Sequence, residues 1–441
     1  MNYYDAVSYL YALQKYGIKL GLDNTTKLLS LFGDPHQDFR TIHVAGTNGK
    51  GSTSAMIASM LQAHGYRVGL FTSPHLVSFT ERIRINKKEI SERDVIDLTM
   101  EIKSMIERVN SGLSPTFFEF ITVMAFIYFS RKDVDWAVVE TGMGGRLDAT
   151  NVITPSVSVI TKIGLDHQEF LGNTIRAIAI EKAGIIKEGI PLITALQDDD
   201  ALNVIVDRSA EIGSEIYIYG RDFRSTMKRD DMEGITFDYY GRETIRKLYI
   251  PLSGIHQLEN VSLAVKALEV VFGSNLKKPS VRKGLANTRW PGRLELIKMP
   301  LEQYDLLIDG AHNPSAAIAL RDAINNHYRA TYERILFIIG IMADKDIEGI
   351  IRPLLPISFH TIFTTPDYKR AASPELLFKI ASKVGFSGEP CPTIKESLNK
   401  ARAMAKGLSG RTLIVITGSF YTIGEALEEL GRKGLLMRLR E

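Results

Sequence analysis

The feature that most constrains the fold is an apolar segment that runs directly into a glycine-rich loop, at residues 41–53 (TIHVAGTNGKGST). The apolar segment predicts a buried strand, and the residues after the loop predict a helix. Glycines allow backbone N–H groups to curl around phosphate oxygens, Lys50 adds a positive charge, and the helix directs its N-terminal dipole at the anion. The run therefore predicts a strand–loop–helix unit that holds a nucleoside triphosphate.

This loop departs from the common phosphate-loop pattern at two positions. Val44 stands where that pattern has its first glycine, and Gly51 separates Lys50 from the hydroxyl of Ser52. The departures indicate a class narrower than a generic ATPase. The alternative interpretation is a glycine-rich turn in an ordinary βα unit.

Strand-like and amphipathic segments alternate in two separate series. The chain has 441 residues, which favours two domains over one hydrophobic core. The first series covers residues 40–195, the second begins near Leu294, and residues 214–250 predict peripheral strands or hairpins. Proline and glycine interrupt the pattern at residues 290–293, so we predict domains of residues 1–296 and 297–441. The expected fold is α/β: a P-loop N-terminal domain with a mainly parallel sheet, and a smaller Rossmann-like α/β C-terminal domain.

Composition argues against several classes of partner. Lysine and arginine number 54, aspartate and glutamate 51, and the net charge is +3. This balance gives no support for binding to nucleic acid or to a membrane surface. No segment reaches the roughly 20 apolar residues of a membrane span. The single cysteine, Cys391, excludes an internal disulfide framework and fits a reducing compartment, so we expect a cytoplasmic protein.

Charged candidates follow the predicted strands. Residues 136–140 are an apolar segment that ends in Glu140. A carboxylate at this position lies beside the phosphate loop in P-loop folds, so Glu140 is a magnesium candidate. His167 follows another apolar segment and would emerge at the edge where α/β folds bind ligands. Taken alone, Glu140 could be a solvated strand end, His167 a structural histidine and Lys182 a surface lysine.

Several motifs together resemble one known family. They are residues 46–52 (GTNGKGS), 72–76 (TSPHL), 142–151 (GMGGRLDATN), 165–167 (LDH), 181–185 (EKAGI), His256 and Gln257 with Asn260, 290–293 (WPGR) and 309–314 (DGAHNP). In this order, and at these separations, they resemble the folylpolyglutamate synthase and dihydrofolate synthase family of the Mur ligase superfamily. The resemblance covers most of the chain.

That resemblance implies an ATP-dependent amide ligase. Such an enzyme joins L-glutamate to dihydropteroate or to reduced folates and their polyglutamates, through an acyl phosphate, and releases ADP and phosphate. The lysine that matches Lys182 is carbamylated in the family, which converts a cation into an anion that supports a second magnesium ion. We expect both acceptors to be used. The alternatives are a monofunctional folylpolyglutamate synthase and another Mur-type ligase of amino acids.

The resemblance also assigns site residues. Those that match the ATP-binding positions are Asn48, Gly49, Lys50, Gly51, Ser52, Asn260, Arg293 and Asp309. Those that match the magnesium ligands are Ser73, Glu140 and His167. The implied catalytic residues are Lys50, Lys182, Asp309 and His312, and the candidates for the pterin pocket are Asp148 and Phe118. Because Asp309 and His312 belong to the second domain, we expect the site to close between domains.

Several of these residues have simpler interpretations without the resemblance. Asn260 could be a helix-surface amide, Arg293 a partner in a hinge ion pair, and Asp309 a helix cap. His312 could be an ordinary loop residue. Phe118, which opens an apolar helix, could be core packing.

Three other functions compete with this interpretation. A cell-wall Mur ligase carries an extra N-terminal domain for a UDP-sugar, and the roughly 45 residues before the loop are too few for it. A P-loop ATPase that drives movement or assembly would turn over ATP without glutamate. A nucleotide-binding regulator would bind ATP without ligation. Residues 16–23 resemble a loop that distinguishes pterin use in bifunctional members, and a monomer is the family expectation.

Overall fold

Two α/β units, each built around its own sheet, make up the protein. The structure, a computed structural model, describes residues 1–17, 21–109, 113–386 and 388–432. The predicted α/β class, with a larger N-terminal and a smaller C-terminal unit, is confirmed. The segment of residues 16–23, interpreted above as a determinant of pterin use, lies partly outside the described residues.

The first sheet has eight strands in the order β4-β3-β2-β5-β1-β6-β7-β8. In chain order they are β1 (Arg40–Ala45), β2 (Val68–Phe71), β3 (Ile83–Ile85), β4 (Lys88–Glu89), β5 (Trp136–Glu140), β6 (Val157–Ile160), β7 (Leu192–Thr194) and β8 (Ile216–Ile218). β2, β5, β1, β6, β7 and β8 are parallel to one another, whereas β3 and β4 add antiparallel pairs at one edge. Every residue of β5 is buried, as expected of a central parallel strand covered on both faces.

Ten helices of the described residues accompany this sheet. They are α1 (Tyr3–Ala12), α2 (Asp23–Leu31), α3 (Lys50–Ala63), α4 (Glu92–Val109), α5 (Phe117–Arg131), α6 (Gln168–Leu171), α7 (Ile175–Ala183), α8 (Asp199–Glu211), α9 (His256–Phe272) and α10 (Lys278–Ala286). Nearly all of α5 is buried. Its start is fixed by a capping box in which Glu119 N donates to Thr116 Oγ1 and Thr116 N donates to a Glu119 carboxylate oxygen.

The segment that was predicted to form peripheral strands folds as a three-stranded antiparallel sheet. Its strands are β9 (Arg224–Asp231), β10 (Gly234–Tyr240) and β11 (Thr244–Ile250), with β10 in the middle. Its buried face, which includes Phe237 and Leu248, packs into the same core as α9 and α3. The small sheet is therefore part of the first unit.

The second unit has six strands in the order β12-β13-β17-β14-β15-β16. They are β12 (Glu295–Ile297), β13 (Tyr304–Ile308), β14 (Arg334–Ile339), β15 (His360–Phe363), β16 (Glu389–Pro390) and β17 (Thr412–Thr417). Its helices are α11 (Pro314–Ala323), α12 (Ile347–Ile351), α13 (Pro374–Lys383), α14 (Ile394–Gly407) and α15 (Phe420–Glu429). β12 is antiparallel to β13, and the other pairs are parallel.

The predicted boundary after residue 296 falls inside β12. All three residues of this strand pair with β13, so β12 lies wholly in the second sheet. The division of the chain at residue 296 stays a prediction. Among the described residues, no helix has both the length and the apolar character needed to cross a membrane.

Candidate functional site

The glycine-rich loop joins β1 to α3, as predicted. Gly49 caps the N-terminus of α3 with a φ of 90°, in the left-handed region that glycine adopts without strain. Lys50 Nζ donates to the carbonyl oxygens of Gly46 (3.0 Å) and Thr47 (3.2 Å), so its ammonium group folds back over the loop. The loop's N–H groups, the N-terminus of α3 and the Lys50 ammonium group thus lie together at one turn of the chain. This is the arrangement that binds phosphate.

Close packing explains two of the loop's glycines. A Cβ at Gly46 would lie 1.9 Å from Thr161 Oγ1, and one at Gly49 would lie 2.2 Å from Asn260 Oδ1. Asn260 Nδ2 donates to Gln257 Oε1 at 3.0 Å, which fixes the amide against the loop. The structure therefore brings Asn260, which lies 211 positions after Gly49 in the sequence, into contact with the phosphate loop.

A large cleft opens above this loop between the two units, with a volume of about 1160 Å³. The predicted site residues that line it are Asn48, Gly49, Lys50, Gly51, Ser52, Ser73, Phe118, Glu140, Asp148, His167, Asn260, Arg293, Asp309 and His312. Both units contribute to the wall, as the expected closure between domains requires. Lys182 is not part of the wall. It lies buried beneath the loop, where Nζ donates to the Gly46 carbonyl oxygen at 2.8 Å.

The acidic side of the cleft is formed by Glu140 at the end of β5. Ser73 N donates to Glu140 Oε2 at 3.3 Å. Burial raises the pKa of Glu140 to about 7, against the opposing effects of Lys50 and the Ser73 N–H. A carboxylate held in this way gains from a cation that restores its charged form.

Two observations bear on a magnesium ion here. Within the described residues, no group of three or more histidine, cysteine, aspartate or glutamate side chains is placed to hold a metal. Mg²⁺, however, is usually bound by one or two carboxylates together with phosphates and water. Ser52 Oγ is buried and has no hydrogen-bond partner in the described part of the chain, so a hydroxyl oxygen is free to take a ligand. Glu140 and Ser52 fit a magnesium–nucleotide complex.

Lys182 is buried in an unusual electrostatic setting. Burial, together with the nearby charge of Lys50, lowers the pKa of its amine to about 7, against the opposing effects of Asp166 and Asp148. The Gly46 carbonyl accepts from both Lys182 and Lys50. A substantial neutral fraction of the Lys182 amine therefore exists near pH 7.

Asp166 links the two units, a role that the sequence analysis missed. Its carboxylate lies 2.6 Å from Lys345 Nζ and 3.4 Å from His312 Nε2, both in the second unit. Burial alone would raise the pKa of Asp166, but His312, His167 and Lys345 hold it well below its ordinary value. The motif of residues 165–167 gave a signal for Asp166. Lys345 gave none, since an isolated lysine after a strand has no distinctive pattern.

His167 projects from the turn after β6, as predicted. Its backbone is left-handed, with φ of 49°, and its side chain is 43% exposed at the cleft. Loss of solvent in the cleft lowers its pKa to about 4, despite the opposing charge of Asp166. A neutral imidazole is the form that binds metal.

Arg293 and Asp309 lie where the chain passes from one unit to the other. The Arg293 guanidinium lies over the Phe420 ring, 4.6 Å from its centroid. The Asp309 carboxylate accepts from Leu294 N and Ala311 N, each at 2.9 Å. Asp309 is therefore tied to the connecting segment, while it also faces the cleft.

The candidate pterin residues lie on one wall of the cleft. Phe118 covers Gly142 so closely that a Cβ there would lie 2.5 Å from the Phe118 ring. Asp148 Oδ2 accepts from Met143 N at 2.9 Å, and Oδ1 accepts from Thr150 N at 3.0 Å. Burial raises the pKa of Asp148, although these hydrogen bonds oppose the shift. The glycine-rich loop after β5 and the start of α5 thus form one wall. The loop supplies the Asp148 carboxyl group, and α5 supplies the Phe118 ring.

The matches to known protein families fall in the two units separately. Residues 44–268 match the Mur ligase middle domain, and residues 293–429 match the dihydrofolate synthetase C-terminal domain. The chain is 37% identical to the dihydrofolate synthase/folylpolyglutamate synthase of Bacillus subtilis, over 97% of this chain and 99% of that protein.

Two solved structures have the same overall fold. Mycobacterium tuberculosis folylpolyglutamate synthase, complexed with ADP and AMPPCP, has a TM-score of 0.91 and 31% identity, over 98% of this chain and all of that one (100%). E. coli FolC, in complex with DHPP and ADP, has a TM-score of 0.86 and 30% identity, over 98% of each chain.

Proposed function

The chain belongs to the dihydrofolate synthase/folylpolyglutamate synthase family of Mur-type, ATP-dependent ligases, and from this premise we propose that it ligates L-glutamate to both dihydropteroate and reduced folates. One observation carries the proposal most directly. The phosphate loop of the first unit and His312 of the second unit line one cleft, which also has the wall formed by Phe118 and Asp148. Nucleotide, acceptor and amino acid would meet there.

The reaction would proceed in two steps. An acceptor carboxylate oxygen bonds to the γ-phosphorus of ATP, and the bond from that phosphorus to the bridging oxygen of ADP breaks. The glutamate amine then attacks the acyl carbon, phosphate leaves, and the amine releases a proton. Lys50 would neutralise charge on the transferring oxygens, and the second unit would exclude water from the acyl phosphate.

Magnesium would be held by Ser73, Glu140 and His167, with Ser52 at the nucleotide. When bound, it would supply positive charge to the β- and γ-phosphate oxygens. The unpartnered Ser52 hydroxyl and the buried Glu140 carboxyl support this assignment.

We also propose that Lys182 is carbamylated. The neutral amine is the form that adds to CO₂, with loss of a proton, and the lowered pKa of Lys182 supplies that form near pH 7. The product is an anion beneath the loop, where Lys50 provides a nearby cation. Removal of dissolved CO₂ is expected to lower the rate, and bicarbonate is expected to restore it in the wild type but not in Lys182→Arg.

We propose a monomeric enzyme of the cytoplasm, in keeping with the buried, unpaired thiol of Cys391. Its partners would be small molecules: ATP, L-glutamate, dihydropteroate and reduced folates. Size-exclusion chromatography with light scattering measures the oligomeric state.

The proposal is tested by glutamate-dependent phosphate release with ATP and Mg²⁺, in parallel reactions with 7,8-dihydropteroate and tetrahydrofolate. Release and amide formation with both acceptors are expected, and release with tetrahydrofolate alone would indicate the monofunctional enzyme. Lys50→Ala should abolish both reactions, whereas Lys379→Ala should not, since Lys379 is exposed and does not line the cleft. Phosphate release without glutamate or acceptor would instead indicate an ATPase.

A further inference from the structure

A buried histidine connects the central strand of the first sheet to the wall of the cleft. His43 lies on β1 and is fully buried, with Nε2 2.8 Å from Thr150 Oγ1. Thr150, also fully buried, has its hydroxyl oxygen 2.5 Å from Asp148 Oδ1. His43, Thr150 and Asp148 thus form a chain of hydrogen bonds, called here the His43 relay, that ends at the cleft.

Its hydrogen bonds have one consistent direction. A carboxylate can only accept, so the single hydroxyl proton of Thr150 points to Asp148. The Thr150 oxygen must then accept from His43, which places the histidine proton on Nε2. His43 Nδ1 is left as a bare lone pair, and it has no hydrogen-bond partner within the residues that the structure describes. Burial, aided by the charge of Lys187, lowers the pKa of His43 to about 3, consistent with a neutral ring.

Asp148, at the end of this relay, holds the cleft wall together. Its two carboxylate oxygens accept from Met143 N and from Thr150 N, at opposite ends of the turn that contains them. Gly142, Met143 and Asp148 all line the cleft. The orientation of the Asp148 carboxylate therefore determines the shape of this wall.

Packing alone does not require a histidine at position 43. Thr41 and Ala45, which lie two positions away on β1 and so share the face of His43, are buried residues with small side chains. An imidazole there leaves a polar nitrogen unsatisfied, which costs free energy that an apolar side chain would not. What the imidazole provides is a donor to Thr150, and through it an orientation for Asp148.

We propose that His43 and Thr150 are positioning residues for the acceptor pocket, which hold the Asp148 carboxylate in the orientation that a pterin-bearing acceptor meets. This inference rests on the proposed function, because it takes that wall as the acceptor site. The acceptor class is a planar heterocycle with N–H donors for the carboxylate and a face that packs on Phe118. Among the described contacts, neither side chain forms a hydrogen bond with a residue that is predicted to bind the nucleotide.

The test compares isosteric and conservative changes at Thr150. Thr150→Val keeps the shape but removes the hydroxyl, so KM for dihydropteroate should rise about tenfold while KM for ATP changes less than about twofold. Thr150→Ser retains the hydroxyl and should restore most of the acceptor affinity. The control is Thr41→Val, since Thr41 Oγ1 is buried on β1, the strand of His43, and has no hydrogen-bond partner among the described residues.

Two results would overturn the inference: an unchanged KM for dihydropteroate in Thr150→Val, or equal increases in the KM values for acceptor and ATP.

A further readout does not need activity. ¹⁵N NMR of histidine-labelled wild type at pH 7, assigned with His43→Gln, should show His43 as the neutral Nε2–H tautomer. The Nδ1–H tautomer would contradict the relay. If the wild type ligates no glutamate, the proposed function fails, whereas the NMR result still tests the relay itself.

Discussion

At the scale of single residues, burial moves two opposite charges towards neutrality around the phosphate loop. The pKa of Glu140 is raised to about 7, and that of Lys182 is lowered to about 7. Both shifts arise chiefly from loss of solvent. The charged forms of both groups are stabilised by ligands of opposite charge, because a cation or an anion bound nearby replaces the electrostatic stabilisation that water no longer gives.

His312 is expected to act on ligation rather than on nucleotide binding. It lies in the second unit, where Nδ1 donates to the Gly310 carbonyl at 2.8 Å and Nε2 faces Asp166. His312→Ala should therefore lower kcat by about 10²-fold or more, with little change in the Kd for ATP. Single-turnover phosphate release and calorimetry with AMPPCP measure the two quantities.

The matched control for this variant is His360→Ala. His360 lies in the same unit, and its Nε2 contacts Glu389 at 2.9 Å. It is absent from the cleft wall. Unchanged ligation in His312→Ala would remove His312 from the mechanism, and an equal loss in both variants would indicate destabilisation of the second unit.

His43 should also make folding stability depend on pH. Its pKa in the folded protein, about 3, is below the ordinary value of about 6.5. Below pH 6.5, His43 therefore binds a proton in the unfolded chain but stays neutral in the folded chain. Stability is therefore present above pH 6.5 and lost as the pH falls. Between pH 7 and pH 5 this single group accounts for a loss of about 2 kcal/mol.

Urea unfolding at pH 5, 6 and 7 measures this effect. His256 is also buried with a lowered pKa and contributes in the same direction, so the informative quantity is the difference between wild type and His43→Gln. The variant should lose less stability than the wild type as the pH falls. Parallel pH profiles would show that His43 is not buried as a neutral ring.

At the scale of elements, the strand–loop–helix unit was predictable because its signal is local. The apolar run, the glycines and the lysine are contiguous, so β1, the loop and the start of α3 follow from residues 40–63 alone. Elsewhere boundaries moved. The pattern of residues 314–326 predicts one helix, whereas α11 ends at Ala323 and is followed by a π-helical turn, Ile324–Tyr328. That turn buries Ile324 and Tyr328 in the core of the second unit, a tertiary demand that periodicity does not reveal.

Gly49 in the phosphate loop gives a test at this scale. Gly49→Ala must place a Cβ at positive φ and against Asn260 Oδ1, so it should cost roughly 1–2 kcal/mol of stability from the backbone alone, and more from the clash. ATP affinity should fall as well, because the loop must shift. Thermal unfolding and nucleotide titration measure the two effects.

Gly189→Ala separates backbone strain from the clash. Gly189 also has a positive φ, of 67°, but a Cβ there meets nothing within 4 Å. This variant should show the strain and leave ATP affinity unchanged. If the two variants behaved alike, contact with Asn260 would not be what restricts position 49.

At the scale of the whole molecule, the two units touch at separate places. At the cleft, Lys345 contacts Asp166, and Asn48 Nδ2 donates to Ser315 Oγ at 2.8 Å. Away from it, His327 Nε2 lies 3.1 Å from Asp230 Oδ2, with both side chains less than a tenth exposed. The small sheet that carries Asp230 therefore supports the second unit from outside the cleft.

Loss of the contact between His327 and Asp230 should loosen the second unit. His327→Gln or Asp230→Asn is expected to destabilise the protein by about 1–3 kcal/mol, because each leaves a buried polar partner unsatisfied. The two changes should be less than additive. Calorimetric unfolding measures the stability, and proteolysis near residues 290–293 reports the connection between the units.

Lys406→Gln provides the comparison for this pair. Lys406 forms an exposed ion pair with Glu302 inside the second unit, 3.2 Å apart. Exposed pairs of this kind contribute about 0–1 kcal/mol, so little change is expected. A similar small effect in His327→Gln would mean that the contact with Asp230 does not hold the units together.

How far the site could be predicted depends on sequence separation. The cleft brings together the phosphate loop, Glu140 and His167, because each lies at or after the carboxyl end of a parallel strand and these ends share an edge. Lys345 and Asp166 meet across 179 positions, and no local pattern encodes that pairing. Thr150 was noticed only as part of a glycine-rich loop. Its hydroxyl gains significance from His43, which the sequence presents as one more residue in an apolar strand.

The contacts at the cleft and away from it have a mechanical consequence. A rigid body tied to another at two points can still turn about the line through them, and a third tie off that line removes this freedom. The second unit is tied by its connecting segment, by Lys345 and Ser315 at the cleft, and by His327 away from it. Large rotation therefore requires these side-chain contacts to break in one event. We expect such motion to switch between two discrete arrangements, rather than to drift through a continuum.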